Sequence, residues 1–289
     1  MKERGELADL LKERLVGKVL EPLGKVEALS PMAQGKKGLV FLVEGEKEKG
    51  VLRFYRDPLV MARTKKVYDM CRRGGVSVAR IHFFEMAKGW LRYGLWGLSL
   101  EEWVEPWQEG GRGLLEELAR LHAIRRPRWG DPLLGRKGDW LENEMEKARS
   151  RLDRWSLWRG VDTHGFWRWL RQQRHRLTPL GLYSLVHGDL APSNLCMREG
   201  RPVFIDLDRA RFAHPLLDLV ALAYHFPDLE EGVGDYLSLL GFTRDDWVFY
   251  LFLFHLKRLV RAMKHWRKGE ERWLSRVEAH EARLGELVG

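Results

Sequence analysis

The chain has 289 residues, 45% of them hydrophobic and 31% charged, enough for one large domain or two lobes with separate cores. This balance excludes a disordered or fibrous chain, and two cysteines exclude a disulfide framework or a cysteine-rich metal site. The net charge of +9 keeps nucleic acid, anionic surfaces and phosphorylated ligands open as partners.

The first residues, MKERGELADLLKERL, carry charge throughout and lack the apolar centre of a secretory signal. The longest apolar run, WVFYLFLF at 247–254, is far shorter than the ~20 residues a membrane helix needs. A reducing, cytoplasmic setting without a membrane span is the expectation. Leu7, Leu10, Leu11 and Leu15 are spaced for a helix over 3–16. GLVFLVEG (38–45) and KGVLRFYRD (49–57) flank a polar turn and predict an antiparallel hairpin. A basic helix over 58–73 follows and stops at Gly74-Gly75. SVARIHFFE and GWLRYGLW predict two more strands. LSLEEWVE predicts the start of a helix with Ser99 as its cap.

From there the chain predicts mainly helices: 114–124, the Trp-bearing region 140–178, 215–226 and several C-terminal segments. The class is α+β, with a small antiparallel-sheet lobe over 1–97 and a larger helical lobe over 98–289. One hairpin interrupts the helices. In VHGDLAPSNLCMREGRPVFIDLDRARF, a strand LCM, a turn REG and a strand RPVFID bring Asn194 and Asp206 back to one place. A carboxylate and a carboxamide are hard oxygen donors of the kind Mg²⁺ takes beside phosphate and water. Asp189, five residues before Asn194, is placed to take a proton from a hydroxyl. Asp-x-x-x-x-Asn followed by a strand-borne Asp is the pattern of phosphoryl transfer in kinases.

HGDLAPSN with FIDLDRARFAHPLLDL resembles the aminoglycoside phosphotransferase and choline kinase superfamily, which has a two-lobed protein-kinase-like fold. The resemblance implies an ATP- and Mg²⁺-dependent transfer to a small-molecule hydroxyl, with amino alcohols, aminoglycosides and sugars as acceptors. It makes Asp189 the catalytic acid-base residue and Asn194 and Asp206 metal ligands. Asp208 matches the acidic residue two positions further on, and is taken with the metal set. Asp218 matches the Asp that braces the catalytic loop, a role suited to a carboxylate on an apolar helical face, and His187 holds the same loop.

The sheet lobe departs from the pattern. The family's strand Lys is replaced by Arg53, which by alternation shares a face with Val51 and Tyr55. Arg binds phosphate through a planar fork and can substitute. The acid expected on the next helix is missing: VMARTKKVYDM offers Thr64 there. Gly35, Lys36 and Gly38 in AQGKKGLV, with Trp96, complete the candidate nucleotide contacts. EEWVEPWQE (101–109) and DWLENEME (139–146) interleave acids with Trp, as a cationic or sugar ligand would require. Alternative readings are a lipopolysaccharide-core-type sugar kinase with an anionic acceptor, a pseudokinase scaffold, and nucleic-acid binding through WRWLRQQRHR and 257–276.

Overall fold

In the computed structural model, residues 2–32, 38–88, 91, 94–108, 111–136 and 138–289 are described, with the backbone alone at 2–8, Gly38 and Arg112. Alternation of apolar residues builds the first part. Strands β1 (Val19–Leu20), β2 (Gly24–Pro31), β3 (Gly38–Gly45), β4 (Lys49–Tyr55), β5 (Ile81–Met86) and β6 (Gly97–Glu102) form one antiparallel sheet in the order β1-β2-β3-β4-β6-β5. Leu39, Phe41, Leu52, Phe54 and Leu100 bury one face, covered by Leu10, Leu11 and Leu15 of helix α1 (Lys2–Leu15). Each such side chain contributes about 1.5–3 kcal/mol by leaving water. Because Leu52 and Phe54 point into this core, Arg53 faces the other side, as alternation predicts.

Helix α2 spans Pro58–Arg73, the predicted range. Asp57 caps it by accepting from the Leu59 N–H at 2.8 Å, Pro58 fits the first turn, and Gly74 follows its last residue.

Two expectations fail nearby. The described residues of GWLRYGLW are not strand, and LSLEE is strand β6, not a helix. Ser99 and Glu101 read as helix-start residues because they are polar. In the structure they are an inward hydroxyl and an inward carboxylate, both buried, pointing to the Arg53 face.

Strand β7 (Glu105–Pro106) precedes α3 (Arg112–His122), β8 (Arg125–Arg126), α4 (Trp140–Arg159), α5 (His164–Gln173) and β9 (Tyr183–Val186). Strands β10 (Leu195–Arg198) and β11 (Arg201–Phe204) are the predicted hairpin. Its two-residue turn, Glu199-Gly200, has φ of 52° and 73°, the left-handed pair that matches strand twist. Strand β12 (Arg211–Ala213) pairs with β9, and helices α6 (Leu216–His225), α7 (Glu230–Leu240), α8 (Arg244–Trp266) and α9 (Leu274–Val288) complete the chain.

The chain divides into two compact units. One comprises residues 1–108 with 192–210, the other 109–191 with 211–289. The first therefore includes residues 98–108 and the β10–β11 hairpin, which chain order alone groups with the helices. In the second, α5 and α8 bury one apolar face each: Leu170 is fully buried and Trp169 packs on Phe252 at 4.9 Å between ring centres. Arg168 and Arg171 of α5 and Lys257, Arg261 and Lys264 of α8 are exposed, as amphipathic helices require, while Arg258 is half-buried against Tyr224 and Phe254. Among the described residues no helix is long and apolar enough to cross a membrane.

Candidate active site

In the first unit, β4, α2, β6 and the hairpin converge on Arg53. Its Nε donates to Glu101 Oε1 at 3.2 Å, and its Nη1 donates to Asp206 Oδ1 at 3.1 Å and Asp208 Oδ2 at 3.3 Å. In the β4–β6 register Arg53 lies opposite Ser99, so Glu101 is its diagonal neighbour on the same face. Ser99 Oγ donates to Glu101 Oε1 at 3.0 Å and Tyr68 Oη to Glu101 Oε2 at 3.5 Å, while Tyr55 Oη meets Ser99 Oγ at 3.2 Å. Burial disfavours the Arg53 cation, but Glu101, Asp208 and Asp206 outweigh it and hold its pKa well above the ordinary value. Burial pushes the Glu101 carboxyl up, against the opposing pull of Arg53 and the Ser99 hydrogen bond.

Sequence reasoning missed Glu101 because it sought the counter-charge on α2. There Thr64 donates to Asp208 Oδ1 at 2.9 Å. Thr64 and Arg53 thus engage both Asp208 oxygens, and the side chain is 12% exposed.

The Asp206 side chain is 38% exposed on a backbone at φ 57°, an uncommon conformation for a residue with a side chain. The Ile205 N–H donates to the Asn194 carbonyl at 3.1 Å, so the open end of the hairpin joins Asn194 to the segment carrying Asp206. One accessible carboxylate beside a carboxamide fits a hard divalent cation that keeps phosphate and water as its other ligands. Gly38 pairs with Tyr55, and the N–H of Trp96, an exposed residue, donates to the Tyr55 carbonyl at 2.8 Å. Both candidates thus sit at the Tyr55 end of β4. Gly35 and Lys36 lie outside the described residues.

In the second unit, β9 leads into His187, Gly188 and Asp189. Buried Asp218 on α6 accepts from the His187 N–H at 2.6 Å and the Gly188 N–H at 2.9 Å. Gly188 has φ 76°, which favours glycine, and turns the chain so that Asp189 is partly exposed. His122 Nε2 lies 3.4 Å from Asp218 Oδ2, and Tyr236 Oη lies 2.8 Å from His122 Nδ1. With the tyrosine donating to Nδ1, Nε2–H points at Asp218. Burial alone would raise the Asp218 pKa; the His122 hydrogen bond, with His187 and the Gly188 N–H, brings it below the ordinary value. His122 sits in the LARLHAI helix, but nothing in the sequence tied it or Tyr236 to Asp218.

Four acids of the acid-and-Trp segments are engaged by basic side chains. Glu101 serves Arg53, Glu102 accepts from Arg198 at 2.7 Å, Glu142 pairs with Arg174, and Glu144 with Lys147 at 2.6 Å. Trp107 and Trp140 are buried.

The first unit thus holds the Asn–Asp hairpin and the strand-borne cation, and the second holds the loop braced by Asp218. The family model described as phosphotransferase enzyme family matches residues 28–252. The chain belongs to the phosphotransferase enzyme family. This phosphotransferase has the two-lobed α+β fold of its structural neighbours. A thermostable mutant of aminoglycoside phosphotransferase APH(4)-Ia, in ternary complex with AMP-PNP and hygromycin B, superposes with a TM-score of 0.67 at 14% identity, covering 98% of each chain. Choline kinase LicA from Streptococcus pneumoniae gives 0.61 at 13% identity, covering 98% of this chain and 99% of its own. The GDP and kanamycin complex of APH(2")-IIia gives 0.59 at 13% identity, over 96% and 98%. No curated protein matches the sequence.

Proposed function

We propose that this phosphotransferase moves the γ-phosphoryl group of ATP to a hydroxyl of a small molecule, with Mg²⁺ as the metal. The observation that carries the reading is the pair of backbone N–H groups, of His187 and Gly188, fixed on buried Asp218 directly before Asp189. That arrangement suits a carboxylate whose position must not drift by an ångström during proton transfer.

The acceptor oxygen forms a bond to the γ-phosphorus. The bond from that phosphorus to the bridging oxygen breaks, its electron pair leaves on ADP, and the hydroxyl proton passes to an Asp189 carboxylate oxygen. Asn194 and Asp206 would hold the metal, which when bound would neutralise charge on the nucleotide phosphates. Arg53 would bring a fixed positive charge to the same phosphates, and Asp208, held by Thr64 and Arg53, keeps that guanidinium in place. Nucleotide complexes of structural neighbours support a nucleotide donor: AMP-PNP in one and GDP in another.

The first experiment is a thermal melt with and without saturating Mg-ATP, on wild type and Asp206→Ala. Ligand at ~100 times its dissociation constant adds about 2.7 kcal/mol, a rise of several degrees. A metal-dependent rise that the variant loses is the expected result. No rise at any nucleotide concentration would sink the reading.

A further inference from the structure

Within the second unit, Tyr236 stands two hydrogen bonds from Asp218, on a helix that carries no sequence motif. Leu229, just ahead of α7, lies on one helical stripe with Gly232 and Tyr236 inside it. This stripe packs tightly on α3. A Cβ at Gly111, which precedes α3, would run into the Leu229 side chain, and one at Gly232 would lie 2.7 Å from Leu115 Cδ1. The Gly111 N–H donates to Asp228 Oδ2 at 2.7 Å and ties the same two elements. A glycine inside a helix weakens it, and close packing offsets that cost at Gly232. At this approach Tyr236 Oη meets His122 Nδ1 at 2.8 Å.

The direction of each bond follows from the groups. Asp218 is buried and held as a carboxylate, which only accepts. His122 Nε2, 3.4 Å from Asp218 Oδ2, therefore carries a proton, and in a neutral imidazole Nδ1 is then an acceptor. Tyr236 supplies the matching donor. Burial and the nearby Asp218 charge push its hydroxyl up, so it keeps its proton. His122 and Tyr236 are both buried, so water does not replace this bond. Removing the hydroxyl would strand Nδ1 as a buried acceptor and penalise the tautomer that points N–H at Asp218. Asp218 Oδ2 takes the His122 N–H and the His187 N–H at 2.6 Å, and Oδ1 takes the Gly188 N–H at 2.9 Å. Those three donors stabilise the buried charge. A lone pair turned toward Oδ2 would push the carboxylate from its seat and loosen both loop amides.

We propose that Tyr236 is a positioning residue for phosphoryl transfer: through the His122 tautomer it fixes Asp218, and through the His187 and Gly188 amides it fixes Asp189. This rests on Asp189 as the base, as proposed above. The groups that Tyr236 governs receive the acceptor proton and do not hold the nucleotide, so loss of its hydroxyl slows turnover without weakening Mg-ATP binding.

The test measures amide hydrogen exchange and ADP release on the full chain, for wild type, Tyr236→Phe, His122→Gln and the double variant. Phenylalanine keeps the ring, whose centre lies 6.1 Å from that of His122, and removes only the hydroxyl. Glutamine places an amide donor near the Nε2 position and has no tautomer to fix. ADP release from Mg-ATP is followed with choline, with kanamycin and with water alone as acceptor. In Tyr236→Phe, Gly188 exchange should quicken about tenfold while Leu253 in the core of α8 is unchanged, and kcat should fall about tenfold at an unchanged KM for Mg-ATP. His122→Gln should retain more turnover than Tyr236→Phe, and the double variant should match His122→Gln. Equal acceleration at Gly188 and Leu253 would make Tyr236 a structural residue only and overturn the proposal, as would unchanged Gly188 exchange or unchanged kcat. If circular dichroism shows Tyr236→Phe unfolded, His122→Asn, too short to reach Asp218, takes its place against His122→Gln with the same expectations. The parent reading fails separately. If Asp189→Asn turns over like wild type while Tyr236→Phe does not, the brace stands and Asp189 is not the base. If wild type releases no ADP with any acceptor, phosphoryl transfer fails, and the exchange arm decides whether Tyr236 holds the loop.

Discussion

Arg53 and Glu101, 48 residues apart, form an ion pair at 3.2 Å with side chains 13% and 4% exposed. The counter-charge for the strand cation comes from the neighbouring strand, not from the helix that follows. In so dry a setting, removing one partner leaves the other short of compensation. Glu101→Gln should therefore cost on the order of 1–3 kcal/mol in urea denaturation, moderated because Asp206 and Asp208 remain beside Arg53. The same variant should raise the KM for ATP more than it lowers kcat. An unchanged KM would show that Arg53 does not depend on Glu101 for its position.

Placing an acid on α2 should not restore the missing pair. Thr64 is buried and points its hydroxyl at Asp208. Thr64→Glu would set a second carboxylate against Asp208, so it should destabilise the chain and fail to rescue Glu101→Gln. Thr64→Val should cost about 1 kcal/mol, the worth of one hydrogen bond to a partly buried acceptor. A stabilised double variant, Thr64→Glu with Glu101→Gln, would contradict this geometry.

Asp218 anchors two consecutive backbone N–H groups, those of His187 and Gly188. Asp218→Asn would turn an amide donor toward one of the three donors that meet the carboxylate. Turnover should fall by at least tenfold, and the Gly188 amide should exchange faster with deuterium. Slow exchange at Gly188 in the variant would remove Asp218 from the bracing role.

Asp189→Asn separates chemistry from binding. It should leave the Mg-ATP melting shift intact and lower turnover by about 10²–10⁴-fold, the usual span for a general base. Turnover close to wild type would assign the proton elsewhere.

His214 gives the fold an acid limit. It stacks on Tyr250 at 4.1 Å, its Nδ1 accepts from the Leu216 N–H at 3.3 Å, and burial pushes its imidazole down to about 3. A depressed histidine stays neutral in the folded state while the unfolded chain takes up a proton. Its contribution is complete above the ordinary value near 6.5 and declines as pH falls from there toward 3. At about 1.4 kcal/mol per unit, several kcal/mol are involved. Urea midpoints should drop between pH 7 and pH 4.5, and His214→Asn should flatten that slope. An equal slope in the variant would assign the effect to other groups.

The β10–β11 hairpin was legible because its signals are local. Asp189, Asn194 and Asp206 lie within eighteen consecutive residues, and the turn that returns the chain is written as Glu199-Gly200 between two apolar strands. Alternation also placed Arg53 on the polar face of β4, since Leu52 and Phe54 had to be buried. The partners of these groups were not legible. Glu101 reaches Arg53 only through the β4–β6 register, and Ser99 and Glu101 look like helix-start residues until that register is known. His122 reaches Asp218 across 96 residues, and Tyr236 reaches His122 across 114, by hydrogen bonds that no periodicity encodes. The acids and tryptophans of two segments read as a ligand face, yet folding committed four of the acids to Arg53, Arg198, Arg174 and Lys147. The sequence by itself determined the hairpin that carries Asn194 and Asp206 and the face of β4 that carries Arg53, because backbone turns and apolar alternation are short-range. Only the tertiary structure decided which charges those groups face, because long-range packing sets the partner of every buried ion.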